Sequence, residues 1–273
     1  MKIIDNSKNN KGLSFLYNTI IGRCFLKVMT SQSVANIYAK YMNSKLSKHK
    51  IAKFIQKNNI NLNDFEDKDY LSFNDFFIRK IKKDKRKIEK GFVAVCDSKL
   101  SIYKIDDNLS LNIKNSVYTI DELINKNNTN YEYALVFRLG VEDYHHYIFP
   151  DEGKIIKEEK INGILHTVQP IALKKHKVFS ENTRHVTLLK CKHLSNVCYI
   201  EVGAMLIGKI VNEKVTNFKK GEEKGHFEFG GSTIILLIEK DKVLFDNYIL
   251  KTINTGKEIE VKMGEKLGDY CEK

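Results

Sequence analysis

Proline is scarce in this chain and tryptophan is absent. The 273 residues contain only Pro150 and Pro170, so no proline-rich linker divides the sequence. No motif recurs with a period of about 20 to 50 residues, which excludes a repeat architecture. Hydrophobic residues make up 42% and aromatic residues 10% of the chain. These values are ordinary for a globular protein and exclude disorder of the whole chain.

Cysteine is also sparse. The five cysteines stand at positions 24, 96, 191, 198 and 271, and no two of them form a C-x-x-C pair. An odd number without such a pair predicts neither a disulfide framework nor a zinc site. We therefore expect a protein of a reducing cytosol and no metal centre.

A long apolar run is missing as well. The most apolar stretch near the N-terminus is interrupted by Arg23 and Lys27, and it falls short of the roughly 20 apolar residues that cross a bilayer. The opening MKIIDNSKNN reaches Asp5 before any apolar stretch of useful length. We therefore expect neither a membrane span nor a secretory signal.

Acidic residues are nearly absent from the first 60 positions. This segment holds eleven Lys and Arg against Asp5 alone, so it carries ten of the twelve formal positive charges. Such a basic segment predicts an anionic partner, either nucleic acid or a membrane surface rich in acidic lipid.

The same segment has the periodicity of amphipathic helices. One predicted apolar face carries Leu13, Leu16, Ile20, Cys24 and Val28. A second carries Val34, Ile37, Tyr38, Tyr41 and Met42. Residues 30–33 (TSQS) supply a helix stop and an N-cap between them. Basic amphipathic helices suit a membrane interface; packing on the protein's own core is the alternative, and the two are compatible.

Nucleic-acid binding is disfavoured by where the aromatic residues lie. In the basic segment they fall on the apolar helix faces, whereas RNA-binding platforms place them among Arg and Lys on an exposed sheet. We expect no nucleic-acid partner.

From about Lys90 the pattern changes to short runs rich in Val, Ile, Tyr and Phe between Gly, Asn, Asp and Lys turns. Strands are predicted at 133–139, 185–189, 197–202, 234–238 and 242–245. The predicted fold class is α+β. Basic amphipathic helices in residues 1–80 are followed by a β-rich, mostly antiparallel sheet domain in residues 81–273.

A Gly-Gly-Ser-Thr corner, residues 230–233, begins a strongly apolar run in HFEFGGSTIILLIE (226–239). Glycine lacks Cβ, so the backbone here can enter conformations closed to other residues. One interpretation is a bulge or tight turn leading into a buried strand. A phosphate-binding loop is disfavoured, because the following residues predict a strand where such a loop needs a helix.

A third interpretation makes the Ser232 hydroxyl a nucleophile toward its own backbone. Its Oγ is within reach of the Gly231 carbonyl, and an unhindered glycine carbonyl is the easiest to attack in an N→O acyl shift. Elimination of the resulting ester leaves dehydroalanine, which hydrolyses to a pyruvoyl group. Such a carbonyl forms an imine with an amine substrate and acts as the electron sink for decarboxylation.

Five blocks, in order along the chain, favour this third interpretation. They are FNDFFIRK (73–80), FRLGVEDYHHY (137–147), HTVQPIAL (166–173), VGAMLIGKI (202–210) and KGEEKGHFEFGGSTIILL (220–237). With these blocks the chain resembles phosphatidylserine decarboxylase, the pyruvoyl-dependent, self-processing membrane enzyme of phosphatidylethanolamine biosynthesis.

The resemblance implies cleavage between Gly231 and Ser232 of a zymogen. The products are a β chain of residues 1–231 and an α chain of residues 232–273, which stay associated; a homodimer of processed units is left open. The implied cofactor is the pyruvoyl group made from Ser232. The implied reaction is loss of the serine carboxylate of phosphatidylserine as CO2 through a Schiff base. The implied place is peripheral, on the cytoplasmic face of the cell membrane, with phosphatidylserine in anionic membrane as partner.

The family uses an acid and an imidazole to activate the serine, and the matching positions are Asp97 and His145. Two departures affect this assignment. Many members carry a second histidine, often held to activate the serine, where this chain has Ile148. Either His145 does both jobs, or His146 or His166 supplies the missing imidazole, and His166 is the first alternative of these two. Ser98 stands where the family usually has glycine. Taken alone, Asp97 reads as a turn residue and His145 as a satisfied strand histidine.

Three residues in or beside matched blocks are candidates for binding the lipid headgroup: Arg138, His145 and Lys174. A structural ion pair is the competing role for Arg138. The FNDFF block, with Arg79 after it, is predicted to pack the helices onto the sheet domain.

The alternative function is a non-enzymatic β-rich binding module, biotinyl- or lipoyl-like or a basic binder of anionic surfaces. Val-Lys-Met at 261–263 faintly resembles a biotin acceptor.

Overall fold

The computed structural model describes residues 2–4, 11–106, 110–113, 116–124, 130–205, 209–230 and 232–271. Within these ranges, none of the helices has the length and apolar character needed to span a bilayer. The helices are α1 Lys11–Asn18, α2 Ile20–Met29, α3 Gln32–Asn43, α4 Lys50–Asn58, α5 Phe73–Phe77, α6 Ile120–Ile124, α7 Pro170–Leu173, α8 Val178–Glu181 and α9 Asn247–Leu250, with a 3-10 turn at Lys45–Ser47.

The predicted break between the helices is confirmed. Helix α2 ends at Met29, and Ser31 is the N-cap of α3, its side chain accepting a hydrogen bond from the Val34 amide. This bond satisfies one of the amides that the first turn of a helix leaves unpaired.

The predicted continuous apolar face from Leu13 to Val28 is wrong. A second break at Thr19 separates α1 from α2, because the Thr19 hydroxyl caps α2 by accepting from the Gly22 amide at 2.9 Å. Leu13 therefore packs on the core, while Ile20 and Val28 are exposed.

The strands follow the predicted pattern and add several that the sequence pattern did not indicate. They are β1 Lys2–Ile4, β2 Phe92–Val93, β3 Ser98–Lys104, β4 Ser110–Ile113, β5 Ser116–Thr119, β6 Tyr131–Leu139, β7 His146–Ile148, β8 Gly153–Ile161, β9 Arg184–Cys191, β10 Asn196–Val202, β11 Ile210–Asn212, β12 Asn217–Phe218, β13 Glu223–Phe227, β14 Ser232–Glu239, β15 Val243–Phe245, β16 Glu258–Val261 and β17 Lys266–Tyr270.

These strands form one large sheet and smaller ones. The large sheet has the order β1-β16-β3-β6-β14-β10-β9-β8-β12; smaller sheets have the orders β11-β13-β7, β15-β17-β2 and β4-β5. The pairings of the named strands are antiparallel. The predicted α+β class, with helices first and a β-rich domain after them, is confirmed.

Strand β14 lies in the middle of the large sheet, between β6 and β10, and all eight of its residues are buried. Ile234 and Leu236 face one core and Ile235 and Leu237 the other. A strand covered on both faces reads as a continuous apolar run rather than an alternating one. This explains the sequence STIILLIE.

Helix α5 joins the helices to the sheet domain, as predicted for the FNDFF block. Phe73 packs edge-on against Phe54 of α4 and against Phe229, with ring centroids 4.9 and 4.8 Å apart. Asn74 accepts a hydrogen bond from the Phe229 amide at 2.9 Å. The segment that precedes Ser232 is therefore held by the helical region.

Candidate active site

Ser232 opens β14 and is completely buried. Its relative exposure is 0%, and its Oγ has no hydrogen-bond partner among the described residues. Gly230 just before it has a φ of 143°, which side chains rarely adopt; Gly231 lies outside the described residues. A buried hydroxyl without a partner costs roughly 1–3 kcal/mol. The fold thus keeps this hydroxyl in the core at a cost in stability.

His145, which immediately precedes β7, is buried in its neutral form. Its Nδ1 lies 2.9 Å from the Asp143 carbonyl oxygen. Because a carbonyl oxygen can only accept, Nδ1 carries the proton and the lone pair is on Nε2. That Nε2 is buried and, within the described part of the chain, has no partner. Burial lowers the pKa of His145 to about 3. The ring is therefore in the state that a general base needs.

Two contacts bring His145 to the segment before Ser232. The Phe227 amide donates a hydrogen bond to the His145 carbonyl oxygen at 2.9 Å. The Phe77 ring lies 4.1 Å from the His145 ring and 5.1 Å from that of Phe229, between centroids. A buried donor hydroxyl and a buried acceptor nitrogen, both without partners, thus belong to the same packed region.

Asp97 is buried beside positive charge. Arg86 donates two hydrogen bonds to its carboxylate at 3.1 and 2.7 Å, and the Met263 amide donates a third at 2.8 Å. Lys262 Nζ lies at 3.3 Å. Burial alone would raise the pKa of Asp97, but Arg86 and Lys262 outweigh it and hold the pKa below its ordinary value. The structure therefore makes Asp97 a fixed anion, and its hydrogen bonds come from Arg86 and Met263.

The alternative histidines have other contacts. His146 donates from Nε2 to the Ile78 carbonyl at 3.1 Å, and its Nδ1 lies 2.7 Å from Glu223. His166 Nδ1 bonds the Tyr17 hydroxyl at 3.0 Å, and its ring stacks on His176. Of the three histidines that the sequence singled out, His145 is the one with a buried, unpartnered ring nitrogen in the described residues.

The headgroup candidates are dispersed. Arg138 is 5% exposed and makes a two-pronged ion pair with Glu258, at 3.1 and 2.5 Å. It stands opposite Thr233 in the β6–β14 register. Because neighbouring residues of a strand point to opposite faces, its side chain lies on the face that Ser232 does not use. Lys174 is exposed at the end of α7.

Two charged residues that the sequence reading missed lie on the Ser232 face. Glu201 is opposite Ile234, two positions from Ser232, and is 0% exposed. Lys224, 1% exposed in its side chain, forms a short hydrogen bond with Glu201. The sequence did indicate a buried charge, because the glutamate inside the apolar strand VCYIEV needs a buried partner. That partner stands 23 positions away, where strand periodicity could not indicate it.

The site has features that a serine-derived carbonyl group requires. The hydroxyl at position 232 is buried and unpaired in the described residues, Gly230 two positions before it has an unusual backbone conformation, and a neutral imidazole belongs to the same region. The local residues therefore fit a pyruvoyl group at this position.

Comparison with known proteins gives a consistent result. The family model described as phosphatidylserine decarboxylase matches residues 73–269. The chain is 47% identical to phosphatidylserine decarboxylase proenzyme 2 of Clostridium acetobutylicum over 268 residues, 95% of this chain and 92% of the relative. It is 39% identical to the corresponding proenzyme of Clostridium novyi, covering 98% and 96% of the two chains. For the Fusobacterium nucleatum proenzyme the identity is 35%, with coverage of 94% and 90%.

Proposed function

Because this chain belongs to the phosphatidylserine decarboxylase family of carboxy-lyases, we propose that it removes the serine carboxylate of phosphatidylserine as CO2 and leaves phosphatidylethanolamine. The observation that carries the proposal is the buried, unpartnered hydroxyl of Ser232, described above, in the same region as the unprotonated Nε2 of His145.

The first step is self-cleavage of the zymogen. His145 Nε2 takes the Ser232 hydroxyl proton while Oγ attacks the Gly231 carbonyl carbon, and the acyl group moves from nitrogen to oxygen. Loss of the Ser232 Cα proton then expels the Gly231 carboxylate and completes the β chain, residues 1–231. Hydrolysis of the remaining dehydroalanine releases ammonia and leaves a pyruvoyl group on the α chain, residues 232–273.

The strand order explains how the two chains would stay together. Three strands of the α chain pair with strands of the β chain. Strand β14 lies between β6 and β10, β16 lies between β1 and β3, and β17 pairs with β2. All of these partners belong to the β chain. Cutting before Ser232 leaves these ladders intact, so their hydrogen bonds and core contacts hold the α chain in place.

For the decarboxylation itself, a pyruvoyl group at position 232 would supply the electron sink. The chain's own residues contribute a dry site, with Ser232 and His145 both fully buried. Arg138 is paired with Glu258, and this ion pair stabilises the sheet. Lys174 is exposed at the end of α7, so we assign it to the headgroup phosphate.

The substrate's acyl chains stay in the bilayer, so the enzyme must work at a membrane surface. Helix α2 presents exposed apolar side chains beside Arg23 and Lys27; these are Ile20 at 75%, Ile21 at 65%, Phe25 at 58% and Val28 at 60% exposure. An exposed apolar face flanked by basic residues suits the interface of an anionic membrane. We assign this face to peripheral binding at the cytoplasmic surface of the cell membrane.

Substitution of neighbouring hydroxyls tests the proposal. Ser232 and Thr233 are both completely buried with no hydroxyl partner among the described residues, but they point to opposite faces of β14. Ser232→Ala should give a single uncleaved chain without decarboxylase activity, while Thr233→Val should cleave and release CO2 from phosphatidylserine. Cleavage of Ser232→Ala, or loss of cleavage in both variants with normal folding, would overturn the proposal.

A further inference from the structure

Away from Ser232, two histidines and a glutamate converge on the sheet formed by β11, β13 and β7. His146 of β7 and His226 of β13 are cross-strand partners, and their rings stack with centroids 4.9 Å apart. Glu223 begins β13. One nitrogen or oxygen atom from each of the three side chains lies within 4.8 Å of the other two.

The contacts of His146 require that this histidine and Glu223 share a proton or a metal ion. Because the Ile78 carbonyl oxygen can only accept, His146 Nε2 carries a proton and donates it there at 3.1 Å. If the ring is neutral, Nδ1 then presents a lone pair to Glu223 Oε1 at 2.7 Å. Two lone pairs at this distance repel each other, so the two atoms either share a proton or bind a common metal ion. Such an ion lies to one side of the line that joins them, because its bonds of about 2.0–2.2 Å are too long for it to fit between the atoms.

His226 favours the metal ion. Its Nδ1 is buried and lacks a hydrogen-bond partner within the described ranges. A proton shared by His146 and Glu223 leaves that nitrogen unsatisfied. A metal ion accepts lone pairs from all three side chains at once.

We propose that His146, Glu223 and His226 bind one divalent transition-metal ion of the zinc class. Two imidazoles and one carboxylate form a ligand set that zinc accepts, with a fourth position open. The bond from His146 Nε2 to a backbone carbonyl is the outer contact that commonly orients a metal-bound histidine. Glu223, 35% exposed, gives the ion and a fourth ligand access from solvent.

The position of this site indicates its role. The ion would join β7 to β13. His145 immediately precedes β7, and its carbonyl accepts from the Phe227 amide next to His226. Metal binding would therefore brace the strands that position His145, without touching Ser232. Sequence spacing gave no hint of the site, because His146 and Glu223 are 77 positions apart.

The full-length protein, stripped of metal by a chelator, provides the test. Zinc chloride should restore one tightly bound ion per chain and raise the melting temperature, and Co²⁺ in its place should give the visible absorption of a four-coordinate site. Glu223→Gln and His226→Gln should lose that ion while their metal-free melting temperatures stay close to that of the stripped wild type.

A second group of two histidines and a glutamate, His166, His176 and Glu181, supplies the matched control. His176 Nδ1 and His166 Nε2 lie 3.6 and 3.8 Å from Glu181 Oε2. His176→Gln changes this second group alone, so it should keep the ion. Three results would overturn the proposal: no tight zinc in the wild type, equal zinc in His226→Gln, or a loss of zinc confined to His176→Gln.

Discussion

The helical region and the sheet domain depart from ordinary burial in opposite ways. The helices leave large apolar side chains in water, with Ile20 75% and Phe25 58% exposed. The sheet domain does the reverse and buries polar groups such as Ser232, His145 and Arg138 at 0 to 5% exposure.

Exposed apolar side chains and buried polar groups differ in what can offset their cost in free energy. An exposed apolar side chain forgoes roughly 25 cal/mol for each Å² that it could bury, and a lipid surface can recover that free energy. A buried polar group without a partner costs roughly 1–3 kcal/mol, and no external surface can reach it. The first kind of departure therefore indicates an external partner, and the second indicates chemistry inside the fold.

The largest expected effect comes from the buried imidazole. His145→Gln should accumulate uncleaved precursor, because no base then takes the Ser232 proton. His166→Gln should cleave normally, since the His166 ring nitrogens face Tyr17 and Glu181. Denaturing electrophoresis separates precursor from products. Precursor accumulation in His166→Gln alone would move the base to that residue.

Arg138 tests whether a buried charge in the sheet domain serves stability rather than catalysis. Arg138→Met leaves Glu258 buried without its cation and should lower the free energy of unfolding by about 3–5 kcal/mol. Adding Glu258→Leu should restore most of this loss. Urea unfolding in an uncleaved Ser232→Ala background gives the values for a single chain. Unchanged stability in Arg138→Met would return this arginine to the headgroup candidates.

His166 tests the junction between the two regions, because its partner Tyr17 belongs to α1. Burial and then the neighbouring His176 lower the pKa of His166 to about 4, against about 6.5 in an unfolded chain. Between these values the unfolded state binds a proton that the native state does not. Stability should therefore fall as pH drops from about 6.5 to 4, by up to about 3 kcal/mol.

Comparison of unfolding curves at several pH values isolates this contribution. Tyr17, His176 and Glu181 face the His166 ring, and His166→Gln leaves them in place. The difference in stability between wild type and variant should shrink on acidification. A difference that stays constant with pH would contradict the neutral, buried state of His166.

The smallest effect should come from the exposed apolar face. Replacing both Ile20 and Phe25 by Asp should weaken binding to anionic vesicles in two ways, by adding negative charge and by removing apolar side chains. The loss of apolar side chains alone should weaken binding by about tenfold, as expected if these side chains are partly buried in the membrane. Self-cleavage should remain intact. Asn18→Asp with Gln32→Asp adds the same charge at exposed polar positions and serves as the control.

Salt separates the two contributions to vesicle sedimentation. The electrostatic part is screened over a Debye length of about 8 Å at physiological ionic strength, so the control variant should approach the wild type as salt rises. The apolar variant should stay weaker. Equal binding of both variants at high salt would remove the membrane role from α2.

Local sequence patterns were enough to predict much of this fold. Alternating or continuous apolar runs located β6, β9, β10, β14 and β15, and the Gly-Gly-Ser corner identified the start of β14. Ser31 was correctly placed in the segment that caps α3. In each case the deciding interaction lies within a few residues.

Other features depend on partners far away in sequence. Glu258 reaches Arg138 across 120 positions, and Asn74 reaches the Phe229 amide across 155. Strand order decides such contacts, and periodicity does not encode it. The break at Thr19 was missed for a local reason, because a threonine within an apolar pattern reads equally well as an interior residue or as an N-cap.

The mass spectrum of the intact purified protein tests the central claim most directly. We expect two polypeptides that divide between Gly231 and Ser232. The fragment of residues 232–273 should be lighter than the same peptide beginning with serine. The difference should equal the mass of one ammonia, which is the difference between serine and pyruvoyl. A decarboxylase preparation that showed one full-length chain, or a fragment beginning with an unmodified serine, would contradict the account.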